Sequence, residues 1–440
     1  MKIEINLFKR FHQTFLLAAV LLAVIPMAAQ ARTPLEKFID GFPMELEKQT
    51  RTASYEELFK GGDVSAYFNV RVSEFMNTAV LPSRQPVMPL GHRPMPKIGS
   101  IKAETMHDGK MTLDQFLARS DFYAQAYLVV HKGDIVYEKY PRIRPEDAHL
   151  WMSCAKPMAS LIVDMLISEG KIDENQPITK YLTDWKGTDW DGVTIRDVLD
   201  MVSGMDLDDT AESRMDPNSI ANRVYRAELD FPNANTGKVE LLRDVLKSTK
   251  AKSKPGLAFE YSSGLTQVLV LLAEEVEGDR WQQIFDRRVW SRVGAEGALQ
   301  LHLTPDGIAA IHGLVSSSLR DFARFGMLYT PSWKKIAVDQ VVSDEILKRT
   351  RKGVRPRKVF LNGAGPRFAN YLGSDNVLGN SRQWDLVWPD GDMWKSGLMT
   401  QGLYVSPSRD LVIVCFSINN DDQSIHRFAR PIATSGFFDK

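Results

Sequence analysis

The sequence lacks the features that mark most specialised classes of protein. Its 440 residues include only two cysteines, Cys154 and Cys415. An exported protein could join them in one disulfide, but two small buried apolar side chains are the favoured interpretation. Lys and Arg number 55, as do Asp and Glu, so the balanced charge gives no reason to expect a nucleic acid as a partner. No low-complexity tract or internal repeat is present, and 44% hydrophobic residues suffice for a large core.

Several catalytic motifs are also missing. The eight histidines form neither H-E-x-x-H nor H-x-H, so the sequence supports no metal site, and His302 and His312 are expected to be structural or exposed. No G-x-S-x-G is present, which argues against an α/β-hydrolase. No strand pattern is followed by G-x-G-x-x-G, the motif of dinucleotide-binding folds. The sequence therefore predicts no cofactor.

One apolar run does occur, at the N-terminus. Three basic residues precede an apolar stretch over residues 15–29, and residues 29–31 (Ala-Gln-Ala) have the small-x-small pattern of a cleavage site. The run is short for a membrane span, and no cysteine follows the cleavage site, which excludes a lipoprotein. We interpret residues 1–31 as a bacterial-type signal peptide. We therefore expect a periplasmic or secreted protein with no stable membrane anchor after cleavage.

The next segment, residues 32–110, is interpreted as an N-terminal extension. Five prolines between positions 82 and 96 predict a stiff, extended stretch rather than a packed element. The sequence assigns this segment no function. Wrapping around the core and shaping the rim of a cleft are the two roles considered.

Strand patterns lie at both ends of the remaining chain, and helical patterns fill its middle. Residues 126–130 and 135–138 flank a Lys-Gly-Asp turn, which is a β-hairpin signal. Residues 402–405 and 411–416 are two further strand-like runs joined by a turn. The pattern predicts an α/β (α+β) fold, in which both chain ends build one layer and a helical region, about residues 170–330, is inserted between them. A ligand cleft is expected where the two parts meet.

The most informative stretch is Ser153-Cys154-Ala155-Lys156. A serine and a lysine three positions apart on a helix project from the same face, which places an amine beside a hydroxyl. Because a serine hydroxyl is a poor nucleophile until its proton is removed, an amine in a partly dry pocket can activate it. Pro157 is tolerated only in a first helical turn, so Ser153 is predicted near a helix N-terminus, where developing negative charge is favoured.

Two further motifs follow in the chain. Tyr261-Ser262-Ser263 lies between a turn signal and an amphipathic helix pattern, so the tyrosine hydroxyl can exchange a proton with Ser153 if nearby cations favour the phenolate. Lys395-Ser396-Gly397 opens the C-terminal strands. Its cation and hydroxyl can hold a substrate carboxylate, and the N–H of Leu398 can join that of Ser153 as an oxyanion donor. A packed tyrosine and a solubilising edge lysine are the alternatives.

The order of these motifs resembles that of the serine β-lactamase and penicillin-binding-protein superfamily. The resemblance is greatest to its class C-like branch, which includes esterases, D-aminopeptidases and aminohexanoate-oligomer hydrolases. Residues 193–205 and 316–326 are similar to the family's ITIRDLL…TSGL and STARDLARFG segments. The resemblance implies a β-lactamase-like or DD-peptidase-like domain over residues 111–440, with an antiparallel sheet flanked by helices and an all-helical insert.

The resemblance also implies roles for individual residues. Ser153 would be the nucleophile, and Lys156 and Tyr261 the acid/base pair. The residues that would contact the substrate are Lys395, Ser396, Gly397, Leu398 and Ser263.

The chain also departs from the family pattern. Ser263 stands where β-lactamases often have asparagine, Met201 where a histidine is frequent, and Pro157 follows the lysine directly. Ser263 and Pro157 favour the esterase branch over dedicated β-lactamases.

The sequence therefore predicts an exported serine hydrolase of the β-lactamase-related type. It is expected to cleave an ester or amide through an acyl-enzyme on Ser153, in the manner of a carboxylesterase or amidase. A β-lactamase or a D-amino-acid peptidase is the alternative among enzymes. A non-catalytic cell-wall or β-lactam binding protein is the alternative of another class. The expected partner is a small ester, amide or β-lactam substrate.

Overall fold

The computed structural model describes residues 41–374 and 376–438 of the chain. The predicted signal peptide, residues 1–31, lies outside the described residues. Among the residues that are described, no helix is long and apolar enough to cross a membrane.

The strands of the described residues form three sheets. They are β1 (Thr78–Leu81), β2 (Gly91–His92), β3 (Lys102–Glu104), β4 (Lys110–Thr112), β5 (Ala124–His131), β6 (Asp134–Lys139), β7 (His149–Leu150), β8 (Leu299–His302), β9 (Val315–Ser317), β10 (Gly379–Ser381), β11 (Trp384–Val387), β12 (Met393–Gly397), β13 (Gln401–Ser406) and β14 (Leu411–Ser417). The largest sheet has the order β10-β11-β12-β13-β14-β5-β6-β2, the second has the order β1-β8-β9-β7, and the third pairs β3 with β4.

Helices occur before, between and after these strands. They are α1 (Met44–Arg51), α2 (Tyr55–Phe59), α3 (Asp63–Arg71), α4 (Leu113–Ala118), α5 (Lys156–Ser168), α6 (Ile195–Leu199), α7 (Ala211–Met215), α8 (Ile220–Glu228), α9 (Leu242–Lys247), α10 (Ser263–Glu277), α11 (Trp281–Arg288), α12 (Leu319–Met327), α13 (Asp344–Lys352), α14 (Arg357–Leu361), α15 (Gly365–Leu372) and α16 (Ala429–Ala433).

Strands from both ends of the chain lie side by side in the large sheet. β14 pairs with β5 in antiparallel register, with Leu411 opposite His131. Both strands are buried along their whole length, as their continuous apolar runs require. The predicted hairpin is β5–β6, whose turn residues Lys132 and Gly133 have φ of 52° and 79°, the left-handed geometry that two-residue hairpin turns favour. The predicted fold class, with an antiparallel-dominated sheet built from both chain ends and flanked by helices, is confirmed.

The inserted region is mostly helical but also contains strands. The sequence analysis expected this region to be all-helical. However, β8 and β9 fall within residues 170–330 and pair with each other. Each strand has only three or four residues. Periodicity cannot distinguish so short an apolar run from part of a helix.

The segment before residue 110 contributes one strand to each of the three sheets, with β3 in the pair β3–β4. β1 pairs with β8, with Thr78 opposite His302, and β2 lies parallel to β6. The proline-containing stretch between β1 and β2 forms no helix or strand. The segment therefore contacts the core on two sides, and the boundary at residue 110 stays a prediction.

Two helix N-termini meet near the end of β12. A 3₁₀ turn, Met152–Ala155, leads into α5, and Pro157 lies in the first turn of that helix as predicted. α10 begins after Ser262, whose Oγ accepts a hydrogen bond from the N–H of Leu265 at 3.2 Å. These helices and β12 carry the three sequence motifs.

Candidate active site

The structure brings the three motifs together. Lys156 Nζ lies 3.1 Å from Ser153 Oγ, and the Tyr261 side chain adjoins Ser153. On the other side of the tyrosine, Lys395 Nζ lies 3.5 Å from Tyr261 Oη and 4.6 Å from the centre of its ring. A hydroxyl, an amine and a phenol from separate parts of the chain therefore share one site.

Close backbone packing holds the serine against β12. A Cβ on Gly397 would lie 2.9 Å from Trp151 O and 2.9 Å from Met152 Cβ, so only glycine fits there without a shift. Met152 has φ of 49°, a conformation that is uncommon for a residue with a side chain and is often found at functional sites. Cys154 Sγ donates to Lys395 O at 3.3 Å. Both cysteines of the chain are buried and free.

Lys156 is fully buried and surrounded by oxygen atoms. Its Nζ contacts Ser153 Oγ, lies 3.0 Å from Ser263 Oγ and donates to His312 O at 2.7 Å. Burial, aided by the positive charge of Lys395, lowers the pKa of Lys156 to about 7. A large share of this amine is therefore neutral at neutral pH and can accept a proton.

The pKa of Tyr261 is shifted in the opposite direction. Burial, followed by the negative charges of Asp385 and Asp209, raises the pKa of Tyr261 well above its ordinary value. The sequence analysis required nearby cations to favour the phenolate. The nearest cation, Lys395, is itself paired with Asp385, so the hydroxyl stays protonated and the amine of Lys156 is the better base.

Lys395 is buried and its charge is compensated. It forms an ion pair with Asp385 on β11, and Ser396 donates to the same carboxylate from its N–H at 2.9 Å and its Oγ at 2.7 Å. Burial lowers the pKa of Lys395, against the opposing effect of Asp385. This lysine is therefore poorly placed to bind a substrate carboxylate as a free charge.

Ser263 lies behind Lys156 rather than at the cleft surface. It is 2% exposed, and its Oγ bonds with Lys156, with Asp209 and with Tyr225 Oη at 3.0 Å. These partners use the hydrogen-bonding capacity of a hydroxyl. The geometry therefore favours a positioning role for Ser263 over the substrate contact that the resemblance implied.

Asp209 anchors this network. Burial opposes its ionisation, but the charges of Arg214 and Lys156, together with hydrogen bonds, lower the pKa of Asp209 to about 2. Arg214 Nη1 lies 2.6 Å from Asp209 Oδ1. Hydrogen bonds thus run from an ionised carboxylate through Ser263 to the amine of Lys156, which fixes the direction of that amine.

Sequence reasoning missed both carboxylates of the site. Asp385 lies in a buried strand between Trp384 and Leu386, and a charge in such a run requires a buried partner. That signal could have pointed to Asp385. Asp209 lies in an irregular segment before α7, and nothing in its surroundings marks it.

The site opens into a cleft of about 360 Å³. The predicted site residues that line this cleft are Ser153, Tyr261, Ser396, Gly397 and Leu398. Arg367 and Phe368 of α15 also line it. Arg367 is exposed, with its guanidinium 5.0 Å from the centre of the Phe368 ring, and it forms no ion pair with any residue described in the structure.

The described residues contain no cluster of metal-ligating side chains. Within residues 41–374 and 376–438, no cluster of three or more His, Cys, Asp and Glu side chains is placed to hold a metal ion.

Comparison with known proteins assigns the chain to a family. The family model described as Beta-lactamase matches residues 111–431. The chain belongs to the β-lactamase family. This member of the β-lactamase family is a hydrolase, and the predicted resemblance to the serine β-lactamase and penicillin-binding-protein superfamily is confirmed. The roles of the individual site residues stay predictions.

Relatives of this β-lactamase-family chain include amide hydrolases and β-lactamases. The chain is 26% identical to a 6-aminohexanoate-dimer hydrolase of Paenarthrobacter ureafaciens over 364 residues, which cover 81% of this chain and 86% of the relative. A Bacillus anthracis protein, assigned provisionally as a 6-aminohexanoate-dimer hydrolase, has a similar structure with a TM-score of 0.69, 20% identity and coverage of 87% and 97% of the two chains. A class C β-lactamase has a TM-score of 0.54, 14% identity and coverage of 74% and 95%.

Proposed function

We propose that this protein hydrolyses an ester or a linear amide through an acyl-enzyme on Ser153. The observation that carries the proposal is the buried Lys156 amine, 3.1 Å from Ser153 Oγ, with a pKa lowered to about 7. An amine that is neutral at working pH and hydrogen-bonded to a hydroxyl is the arrangement that turns a serine into a nucleophile.

Acylation follows from the positions of three groups. Lys156 accepts the proton of Ser153, and Oγ attacks the carbonyl carbon of the substrate. The backbone N–H groups of Ser153 and Leu398 are the proposed donors to the developing oxyanion. Tyr261, which is protonated, is placed to pass its proton to the leaving group, and the proton that Lys156 took from Ser153 then restores the phenol. Water then hydrolyses the ester on Ser153.

The substrate class is proposed from the residues around the amine. Ser263 replaces an amide side chain that β-lactamases often carry, and its hydroxyl is committed to Lys156 and Asp209. A relative named as a 6-aminohexanoate-dimer hydrolase supports including linear amides. We therefore expect esters and linear amides to react faster than β-lactams.

A substrate panel tests this proposal. The purified protein is assayed for kcat/KM with a neutral aryl ester, a linear amide, a penicillin and a carbapenem in one buffer, and labelled in parallel with a fluorophosphonate probe. Ser153→Ala should abolish both turnover and labelling while leaving the fold intact. A β-lactam that reacts faster than every ester and amide would overturn the substrate class, and labelling that persists in Ser153→Ala would overturn the nucleophile. A wild-type protein that neither reacts nor labels would be the non-catalytic binding protein considered above.

We also propose that the protein is exported to the periplasm or secreted. The apolar run over residues 15–29 and the Ala-Gln-Ala stretch that follows support this proposal.

A further inference from the structure

A small cavity adjoins Ser153 beside the open cleft. It measures about 30 Å³, which is room for one or two water molecules. Ser153, Tyr225 and Leu398 line both the cavity and the cleft, so the two spaces meet at the nucleophile. Besides Tyr225 and Arg214, the side chains that line the cavity include Glu228, the last residue of α8, and His312, which precedes β9.

Glu228 and His312 form a buried pair. Glu228 is 1% exposed and His312 is 5% exposed, and Glu228 Oε2 lies 2.8 Å from His312 Nε2. Neither carboxylate oxygen makes a well-directed hydrogen bond with any residue that the structure describes. Because buried carboxylates in proteins are almost always hydrogen-bonded, the lone pairs of Glu228 are available to a small polar molecule in the cavity.

The pair is fixed relative to the nucleophile. His312 O accepts from Lys156 Nζ at 2.7 Å, and the same Nζ is 3.1 Å from Ser153 Oγ. A Cβ on Gly313 would lie 3.4 Å from the carbonyl carbon of Met152, which places this loop in contact with the residue before the serine. The ring of Tyr225 packs edge-on against that of His312, with centres 5.5 Å apart. The backbone of His312 is therefore fixed next to Lys156, and its imidazole lines the same cavity as Ser153.

We propose that Glu228 and His312 bind and deprotonate the water that hydrolyses the acyl-enzyme, an inference that rests on the proposed function. The water oxygen bonds to the acyl carbon, and one of its protons moves to the pair. The bond between the acyl carbon and Ser153 Oγ then breaks, and the proton returns from the pair to Oγ. The acid leaves, and the serine hydroxyl and both partners are restored. Lys156 and Tyr261 serve acylation, and a separate pair serves deacylation.

Pre-steady-state kinetics test whether separate residues serve acylation and deacylation. Glu228→Gln keeps the shape of the side chain but removes its charge, and Glu275→Gln, at an exposed position on α10, is the matched control. With a chromogenic ester, the burst reports acylation and the steady state reports deacylation. We expect Glu228→Gln to keep its burst rate within about twofold while its steady-state rate falls by about a hundredfold, the usual size of a general-base effect. The acyl-enzyme should accumulate in intact-mass spectra, and Glu275→Gln should match wild type.

His312→Gln provides a second, independent variant. It should show the same pattern, and hydroxylamine should restore turnover in both variants because this nucleophile needs no general base. An unchanged steady-state rate would overturn the proposal. So would a parallel fall of burst and steady state, because that pattern indicates displacement of Lys156. A wild-type protein that forms no acyl-enzyme would contradict the proposed function itself.

Discussion

At the scale of single residues, the chemistry depends on one buried lysine. Lys156 is fully buried, and burial with the nearby charge of Lys395 lowers its pKa to about 7. Tyr261, in contrast, is held protonated by burial and by two carboxylates. These opposite shifts support the proposed roles of Lys156 as the base and Tyr261 as the proton donor.

The first prediction is a pH profile governed by Lys156. Because only the neutral amine accepts a proton, kcat/KM for a neutral ester should rise with pH and level off above a midpoint near 7. Lys156→Arg keeps a cation that cannot deprotonate, so its activity should fall by about a thousandfold or more, as for other bases of catalytic triads. A profile that is flat between pH 5.5 and 8.5 would contradict this account.

The same shift has a consequence for stability. The pKa of Lys156 is lower in the folded protein than its ordinary value of 10.5, so only the unfolded state keeps the proton between about pH 7 and 10.5. The lysine therefore destabilises the fold most below pH 7, and this effect disappears as the pH approaches 10.5. Lys156→Met should raise the melting temperature at pH 6 and lose that advantage near pH 10.

The sequence predicted the reacting residues better than their environment. Ser153 and Lys156 are three positions apart, so helix geometry alone brings them together. Asp209 and Asp385 reach the site from segments more than 50 residues away from either, and their charges add to the effect of burial in raising the pKa of Tyr261. Pairing across such distances depends on tertiary structure, which local patterns do not contain. Glu228 was missed for the same reason, and His312 was expected only to be structural or exposed.

At the scale of secondary-structure elements, α15 places an exposed positive charge at the cleft, whereas the lysine of β12 is buried. The sequence analysis assigned carboxylate binding to Lys395, but that lysine is buried and paired with Asp385. Arg367 on α15 lines the cleft and is exposed. Its positive charge is therefore available to an anionic group of the substrate.

A substitution in α15 tests this assignment. Arg367→Gln should raise KM for an ester that carries a free carboxylate by about two- to fivefold, the size of one exposed charge pair, and leave KM for a neutral ester unchanged. Lys358→Gln, an exposed cation on α14 that does not line the cleft, is the control. An equal change with both esters would show that Arg367 acts through packing rather than charge.

Elements with strong periodicity were predicted well. The hairpin β5–β6, the pair β13–β14 and the helices α5 and α10 all occur where apolar patterns placed them. The short strands β8 and β9 were missed because three or four residues carry too little pattern. Their pairing with β1 and β7 depends on partners that are distant in sequence.

At the scale of the whole molecule, both chain ends build the sheet that supports the site. β5 and β14 lie side by side, and the segment before residue 110 adds β1 to one sheet and β2 to another. The sequence indicated through two strand patterns that both chain ends build the sheet. It could not indicate the strands of the segment before residue 110, because β2 has only two residues and the pairing of β1 depends on a strand more than 200 residues later.

Export is a prediction about the whole chain. If residues 1–31 are a signal peptide, expression of the full sequence in a bacterium should give a mature protein that begins at Arg32 and is released with the periplasmic fraction. N-terminal sequencing of that protein checks the cleavage site. Recovery of a cytoplasmic protein that retains residues 1–31 would refute export.

The central claim is that Ser153 carries the acyl group, and one measurement tests it most directly. The protein is mixed with a chromogenic ester, quenched with acid within the burst and analysed by intact-mass and peptide mass spectrometry. We predict a mass increase equal to one acyl group, located on the peptide that contains Ser153 and absent from Ser153→Ala. An acyl group on another residue, or turnover with no acylated protein at any time, would contradict the account.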